Sequence, residues 1–208
     1  MNTMPSPLDY VEKPTDLIET QRLFHGRGHA YPGLEHVNID WIFPAIIITL
    51  YAEVERDWLE SLCTQLAGLF PACENIQVQY RCRPRAPFET MKGGELNQLI
   101  AVESGLKYHI NLGRAQNTGL FLDIANGRSW VQENSQDKNI LNLFSYTCAF
   151  SVAAIAGGAR RVVNIDMAKG ALSTGRDNHR LNDHDLSRVI FQGIDIFKSW
   201  SRIKKYGL

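Results

Sequence analysis

The sequence predicts an α/β fold in which a small α+β domain precedes a larger domain built on a parallel sheet. From Phe121 onward, short apolar segments alternate with amphipathic ones, and strands that alternate with helices form parallel sheets with right-handed crossovers. The first half has short β-like segments around one helix, and residues 83–96 (RPRAPFETMKGGEL), rich in proline and glycine, are typical of a loop between the halves. We therefore expect a flexible leader over 1–18, an α+β domain over 19–95 and the parallel-sheet domain over 96–208.

Three segments define the first domain. The apolar run Ala45–Tyr51 is rich in β-branched residues and predicts a strand. Ile76–Arg83 alternates apolar and polar residues, which is typical of a strand with one solvated face. Between them, Glu53–Phe70 predicts a helix because apolar residues recur at helical spacing, at Trp58, Leu62, Leu66 and Leu69.

The second domain begins with a hairpin and continues as alternating helices and strands. Ser104-Gly105 separates the β-like segments Leu99–Glu103 and Lys107–Leu112, which predicts a tight turn. The predicted elements that follow are helix Phe121–Asn134, strand Ile140–Phe144, helix Cys148–Ala156, strand Arg161–Ile165, helix Ala168–Leu181, strand Val189–Gly193 and helix Ile196–Tyr206.

Charge and cysteine content set loose bounds on function. Basic and acidic residues number 22 each, so the net charge gives no indication for or against a nucleic-acid partner. The 4 cysteines form no C-x-x-C pair and no ligand spacing with the 6 histidines, which favours a reducing cytoplasm and no metal. The apolar run Ile42–Tyr51 is far shorter than the roughly 20 residues of a membrane span, so we expect no membrane association.

The carboxyl ends of the predicted parallel strands are the expected ligand site. The first strand runs into Phe144–Thr147 and then into a helix of small residues, whose amino end presents backbone N–H groups. Asp166 ends the second strand, where an acid can accept hydrogen bonds from ribose hydroxyls, so an adenosine-type ligand is one interpretation. The alternative is that Asp166 only caps the next helix. No G-x-G-x-x-G turn is present, which disfavours a dinucleotide.

At this point several ordered motifs carry a resemblance. The segments QNTGLFLDIANGR, NLFSYTCAFSVAAIAGGARRVVNIDMAKGAL, GRDNHRLN and FQGIDIF, with RLFHGRGHAYPGLEHVNIDW upstream, resemble the class I S-adenosylmethionine-dependent methyltransferases that modify bacterial large-subunit ribosomal RNA. The resemblance extends from about Arg22 to Phe197. It implies a Rossmann-like class I methyltransferase sheet, S-adenosylmethionine as cofactor, and ribosomal RNA as the substrate.

The resemblance also implies roles for individual residues around the cofactor. The methionine part would lie against Phe144, Ser145, Tyr146 and Thr147. Asp166 would bind the ribose and Met167 the adenine face, while Asp195 and Ile196 would read the adenine edge. The preceding loop would close the pocket with Thr118, Gly119, Phe121 and Asp123, together with Arg128 on the helix that follows the loop. The alternatives are core positions for Phe121 and Met167, a helix cap for Asp195 and a solvated charge for Arg128.

Two departures from the family pattern stand out. Cys148 occupies a position where relatives commonly have glycine. In addition, the D-P-P or N-P-P motif that ends the family's fourth strand is absent. We therefore expect a sheet that is incomplete at the C-terminus, with Ile140–Phe144 as an exposed edge through which a homodimer could form.

The sequence therefore favours a methyltransferase that acts on a base of ribosomal RNA, of which this chain is the N-terminal portion with no assignable catalytic residue. The alternatives are a non-catalytic cofactor-binding or assembly fragment and a nucleotide-dependent oxidoreductase. Arg81, Arg83 and Arg85 with Tyr80 are candidates to contact RNA phosphates and stack a base. Their alternative interpretation is a solvated strand face.

Overall fold

The computed structural model describes residues 5–14, 16–113 and 116–203, which divide into two compact units. The first unit extends to Glu103 and includes Ile110–Thr118, and the second comprises Ser104–His109 and the residues from Gly119 onward. The strands are β1 (Gln21–His25), β2 (Val37–Ile42), β3 (Ala45–Leu50), β4 (Asn75–Tyr80), β5 (Phe88–Lys92), β6 (Gln98–Glu103), β7 (Leu106–Asn111), β8 (Asn139–Leu143), β9 (Arg161–Asp166) and β10 (Val189–Gly193). The helices are α1 (Arg56–Leu69), α2 (Ala125–Glu133), α3 (Ala149–Ala156), α4 (Lys169–Leu181) and α5 (Ile196–Ile203).

A five-stranded sheet in the order β1-β2-β3-β4-β5 forms the first unit. Its neighbouring strands are antiparallel except β3 and β4, which are parallel and connected by α1. A parallel pair needs such a crossover, which explains the amphipathic helix between two apolar strands. Every residue of β3 is buried. Its Ile46 and Ile48 lie in the same core as the leucines that α1 buries, which are Leu59, Leu62 and Leu66.

Two predictions for this unit are wrong. The strand predicted at Ile76–Arg83 is buried along its whole length as β4, because hydrogen bonds satisfy its glutamines: the Gln77 amide donates to Thr90 Oγ1 (2.9 Å) and the Gln79 amide to the Gln116 carbonyl (2.9 Å). The predicted loop 83–96 contains β5, which pairs with β4. The prolines of this segment precede β5 and its glycines follow it, so these residues interrupt the sheet only at the two ends of the strand.

The first residues also differ from the prediction of a flexible leader. Residues 5–14 and 16–18 pack within the first unit: the Tyr10 ring lies tilted against that of Tyr31 with centroids 4.5 Å apart, and the Trp41 indole donates to the Leu17 carbonyl at 2.7 Å. The strands β1 and β2 that follow were not predicted. Arg22 of β1 and Asp40 of β2 lie opposite each other in this antiparallel pair and form an ion pair at 2.5 Å.

The second unit contains a parallel three-stranded sheet in the order β10-β9-β8, so the α/β prediction is confirmed. The small residues Ala154 and Ala159 pack with Val162 on one face, and Ile196 of α5 packs with Val163 and Ile165 on the other. The predicted helix Ile196–Tyr206 begins as expected, and residues 204–208 lie outside the described residues. None of the helices in the described ranges is both long and apolar enough to cross a membrane.

Cys148 and Gly175 form a close contact between the turn after β8 and helix α4. Cys148 is fully buried, and a Cβ added at Gly175 would lie 2.9 Å from Cys148 Cβ and closer still to its Sγ. Burial raises the pKa of the Cys148 thiol to about 12, so the thiol stays protonated and acts as a packing group. The missing side chain of Gly175 therefore provides the space that Cys148 fills.

The second unit contains a chain of hydrogen-bonded polar side chains that are buried or half-buried. The Asn142 amide donates to Asn164 Oδ1 (2.9 Å), the Asn164 amide donates to Ser151 Oγ (2.9 Å), and Ser151 Oγ contacts His179 Nε2 (2.9 Å). His179 Nδ1 then meets His184 Nδ1 at 3.0 Å. Burial lowers the pKa of His179 to about 3, so this histidine is neutral in the folded protein at ordinary pH.

The contact between Cys148 and Gly175 predicts strong coupling between the two positions. We expect Gly175→Ala to lower the free energy of unfolding by about 1–3 kcal/mol because the new methyl group overpacks the contact. The same substitution should cost much less in a Cys148→Gly background, which a double-mutant cycle by urea unfolding measures. Gly170→Ala is the matched control in the same helix, where an added Cβ meets nothing within 4 Å. Equal losses in both backgrounds would contradict the proposed contact.

The buried histidine predicts loss of stability in mild acid. The unfolded chain takes up a proton near the ordinary His pKa of 6.5 and the folded chain only near 3, so the stabilisation is complete above pH 6.5 and declines below it. His179 alone should cost about 2 kcal/mol between pH 7.5 and pH 5. Urea unfolding at both pH values should show a smaller decline for His179→Gln than for the unchanged chain. An unchanged decline in His179→Gln would exclude this origin.

Candidate functional site

The turn between β8 and α3 has an unusual backbone. Phe144, Tyr146 and Cys148 all have positive φ, at 53°, 46° and 59°, although none of them is glycine. Each such residue costs about 1–3 kcal/mol and persists only where its surroundings hold it. In this turn the backbone N–H groups of Ser145, Tyr146 and Cys148 all donate to acceptors within the protein, which holds the unusual backbone in place.

Hydrogen bonds from β9 hold this turn. Ser145 N donates to the Ile165 carbonyl at 3.0 Å, and Tyr146 N donates to Asp166 Oδ2 at 2.8 Å. The other carboxylate oxygen of Asp166 accepts from Ala168 N at 2.8 Å, so this residue does cap the start of α4. Each oxygen uses one acceptor position on the protein, and the second positions remain available for ligand hydroxyls. The cap and the ligand interpretation are therefore compatible.

The loop before α2 reaches the same turn. Thr147 Oγ1 donates to the Gly119 carbonyl at 2.5 Å, and the Phe121 ring lies 5.6 Å from that of Tyr146. Gly119 has φ 123°, a conformation that residues with a Cβ rarely adopt. Burial raises the pKa of the Tyr146 hydroxyl, so it remains protonated. The structure thus brings Gly119 and Phe121 of the predicted loop to the predicted turn.

An apolar groove of about 330 Å³ lies beside the carboxyl end of β8. It is lined by Leu143, Phe144, Ile196 and Phe197, and the two phenylalanine rings lie 6.0 Å apart. Phe144 is 66% exposed and Phe197 84% exposed, so both rings are available to a ligand. Two of the predicted cofactor residues, Phe144 and Ile196, thus share one surface.

The other predicted residues are placed less tightly. Asp195 Oδ1 accepts from Phe197 N at 3.0 Å, which is the helix-cap geometry, while Met167 is 69% exposed and so is not a core residue. Phe121 is 46% exposed, which makes the core alternative wrong for it as well. Asp123 is exposed, and Thr118 belongs to the first unit. Arg128 is 2% exposed, so its alternative as a solvated charge is wrong.

Sequence reasoning missed the part played by α4. Asn178 donates to the Thr147 carbonyl at 3.0 Å and accepts from His109 N at 2.8 Å, and Asn182 pairs in both directions with the backbone of Lys107. Both asparagines lie in the GRDNHRLN segment, four residues and thus about one helical turn apart, on the same side as Gly175. This spacing is the feature of the sequence that could have predicted their shared role.

The arrangement suits a ligand that combines hydroxyl groups with an apolar or aromatic part. A carboxylate with free acceptor positions ends β9, and an apolar groove lies beside the turn with three left-handed residues that follows β8. No group of three or more metal-binding side chains occurs in the described part of the chain.

Comparison with known proteins identifies the family of the chain. The family model for S-adenosylmethionine-dependent methyltransferases matches residues 21–208. The ribosomal RNA large subunit methyltransferase I of Cronobacter sakazakii is 30% identical over 205 residues, which cover 96% of this chain and 51% of the relative. The ribosomal RNA large subunit methyltransferase K/L of Pseudoalteromonas translucida is 38% identical over 128 residues, 61% of this chain and 18% of that protein.

Solved structures agree. A methyltransferase crystallised with SAH has a TM-score of 0.81 and 25% identity, covering 93% of this chain and 50% of that one. An S-adenosylmethionine-dependent methyltransferase from Agrobacterium tumefaciens, at 16% identity and a TM-score of 0.63, supports the fold alone and covers 83% of this chain and 54% of that one. The chain thus spans about half the length of its full-length relatives. It belongs to the family of S-adenosylmethionine-dependent methyltransferases.

Proposed function

We propose that this chain binds S-adenosylmethionine and forms part of an enzyme that methylates a base of ribosomal RNA. The observation that carries the proposal is the bond from Tyr146 N to Asp166, which joins the turn after β8 to the acid at the end of β9. The curated relatives named above are ribosomal RNA methyltransferases, which supports the substrate class.

Bound S-adenosylmethionine supplies an electrophilic methyl group, and methyl transfer requires mainly that the acceptor and the methyl group be held in line. We assign the ribose hydroxyls to Asp166 and the adenine to Met167, Asp195 and Ile196. The methionine part is assigned to the turn Phe144–Thr147, and the closing loop to Thr118, Gly119, Phe121 and Asp123. We assign no catalytic residue, because these groups position the cofactor and do not exchange protons with it.

We also propose how the chain divides into domains and in which cellular compartment it acts. We assign the cofactor to a domain over 96–208 and treat 19–95 as a separate α+β domain. The four cysteines Cys63, Cys73, Cys82 and Cys148 are unpaired thiols, which supports a reducing compartment such as the cytoplasm.

Cofactor binding is testable by calorimetric titration of S-adenosylmethionine into the whole chain. We expect saturable binding that weakens at least about tenfold in Asp166→Ala, because hydrogen bonds from ribose to a carboxylate are lost. Asp185→Ala is the matched control: this aspartate also caps a helical turn, accepting from Ser187 N at 2.9 Å, but it lies at the amino end of β10. Equal effects of both substitutions would contradict the assignment to Asp166.

Transfer of the methyl group to RNA is tested separately. The reagents are unmodified large-subunit ribosomal RNA and S-adenosylmethionine that carries a label in its methyl group. Label in the RNA that disappears with Asp166→Ala would support the full proposal. Cofactor binding without label in the RNA would favour the non-catalytic alternative for this chain. Absence of binding by a folded chain would refute the cofactor assignment itself.

We also propose a homodimer through the edge of β8. In the described ranges β8 pairs only with β9, and the groove residues Phe144 and Phe197 are exposed beside it. An apolar strand edge with free backbone groups favours pairing with a second chain. Sedimentation velocity should show a dimer that dissociates at least about tenfold more readily in Phe197→Ser. Trp130→Ser, which removes a ring 64% exposed on α2, should leave it unchanged. A monomer at all concentrations would exclude the dimer.

A further inference from the structure

One edge of the first unit's sheet collects basic side chains. Since β1, β3 and β4 run in the same direction, their carboxyl ends lie at the same edge. Tyr51 and Arg81 directly follow β3 and β4, and Arg27 lies two residues beyond the end of β1. The strand register reinforces the placement, because Leu50 pairs with Tyr80 and the next residues, Tyr51 and Arg81, therefore emerge side by side.

Two guanidinium groups meet the same aromatic ring there. The Arg27 Cζ lies 4.4 Å from the centroid of Tyr51, and the Arg81 Cζ lies 5.8 Å from the same centroid. The π face of the ring attracts each cation, but the two positive charges repel one another. Among the described residues, no carboxylate forms an ion pair with Arg27 or Arg81, and Arg81 donates instead to the neutral Asn117 at 3.1 Å.

Arg83, a few residues away in sequence, shows the opposite arrangement. Its Cζ lies 3.8 Å from the centroid of Tyr80, but its guanidinium also forms a two-pronged pair with Glu53, at 2.8 and 2.6 Å. The positive charge of Arg83 is therefore neutralised within the protein. Tyr80 is 5% exposed and donates its hydroxyl to Glu89 at 2.5 Å, so it has no free face on which a base could stack.

Of the predicted contacts to RNA, those of Arg83 and Tyr80 are therefore disfavoured, because Arg83 is paired and Tyr80 is buried, whereas Arg81 retains its positive charge. We propose that Arg27, Tyr51 and Arg81 form a phosphate-binding site for single-stranded RNA. A phosphate between the two guanidiniums would relieve their repulsion, and planar cations beside an aromatic ring suit the stacking of an unpaired base. The choice of RNA over another polyanion rests on the proposed function, whereas the location rests on the geometry alone.

The test measures binding of a fluorescently labelled, short single-stranded RNA to the whole chain at several salt concentrations. Each phosphate contact contributes about 0.7 to the slope of log affinity against log salt. We expect Arg27→Gln and Arg81→Gln each to reduce this slope by about that amount and to weaken binding several-fold near 0.1 M salt. Arg83→Gln is the matched control and should leave the slope unchanged, because Glu53 already neutralises Arg83. Tyr51→Phe should bind as the parent and Tyr51→Leu more weakly.

Several results would overturn the inference. These are wild-type slopes in both Arg27→Gln and Arg81→Gln, a loss confined to Arg83→Gln, or displacement of the RNA by polyglutamate as readily as by unlabelled RNA. The last result would indicate an acidic protein partner. Thermal unfolding of each variant checks that it is folded.

Cofactor titration on the same samples separates this inference from the proposed function. RNA binding that depends on Arg27 and Arg81 in a chain that does not bind S-adenosylmethionine would support the surface and refute the cofactor site. Cofactor binding without any RNA binding would refute the surface alone.

Discussion

The hydrogen bond from Tyr146 N to the Asp166 carboxylate is the interaction on which the second unit's site depends. It joins the turn after one parallel strand to the end of the next, and it stabilises a turn with three left-handed residues that are not glycine. Strain of this kind persists only where neighbouring groups determine the backbone path. A single carboxylate therefore has two roles: it holds the turn, and it keeps acceptor positions for a ligand.

Helix α4 supports that turn from its other side. Gly175 leaves the space that the Cys148 side chain occupies, and the Asn178 amide donates a hydrogen bond to the carbonyl of the neighbouring Thr147. The Cys148 side chain thus points into the protein, against α4, and this packing accommodates it.

The first unit uses strand direction in a comparable way. Its mixed sheet places the ends of three like-directed strands together, and so collects arginines that are far apart in sequence. Whether such a charge is available to a partner depends on its neighbours. Glu53 neutralises Arg83, whereas Arg27 and Arg81 meet over Tyr51, and a balanced total charge conceals this local imbalance.

The sequence by itself determined the α/β class, the strands and helices of the second unit and the positions of the turn and of Asp166. Periodicity and strand-end residues are local signals, so a single chain is enough to locate them. Only the tertiary structure decided that the glutamines of β4 are buried, that β5 lies within a segment rich in proline and glycine, and which arginine is neutralised. These features depend on partners distant in sequence, such as Gln116 for Gln79 and Glu53 for Arg83, and no local pattern encodes such pairings.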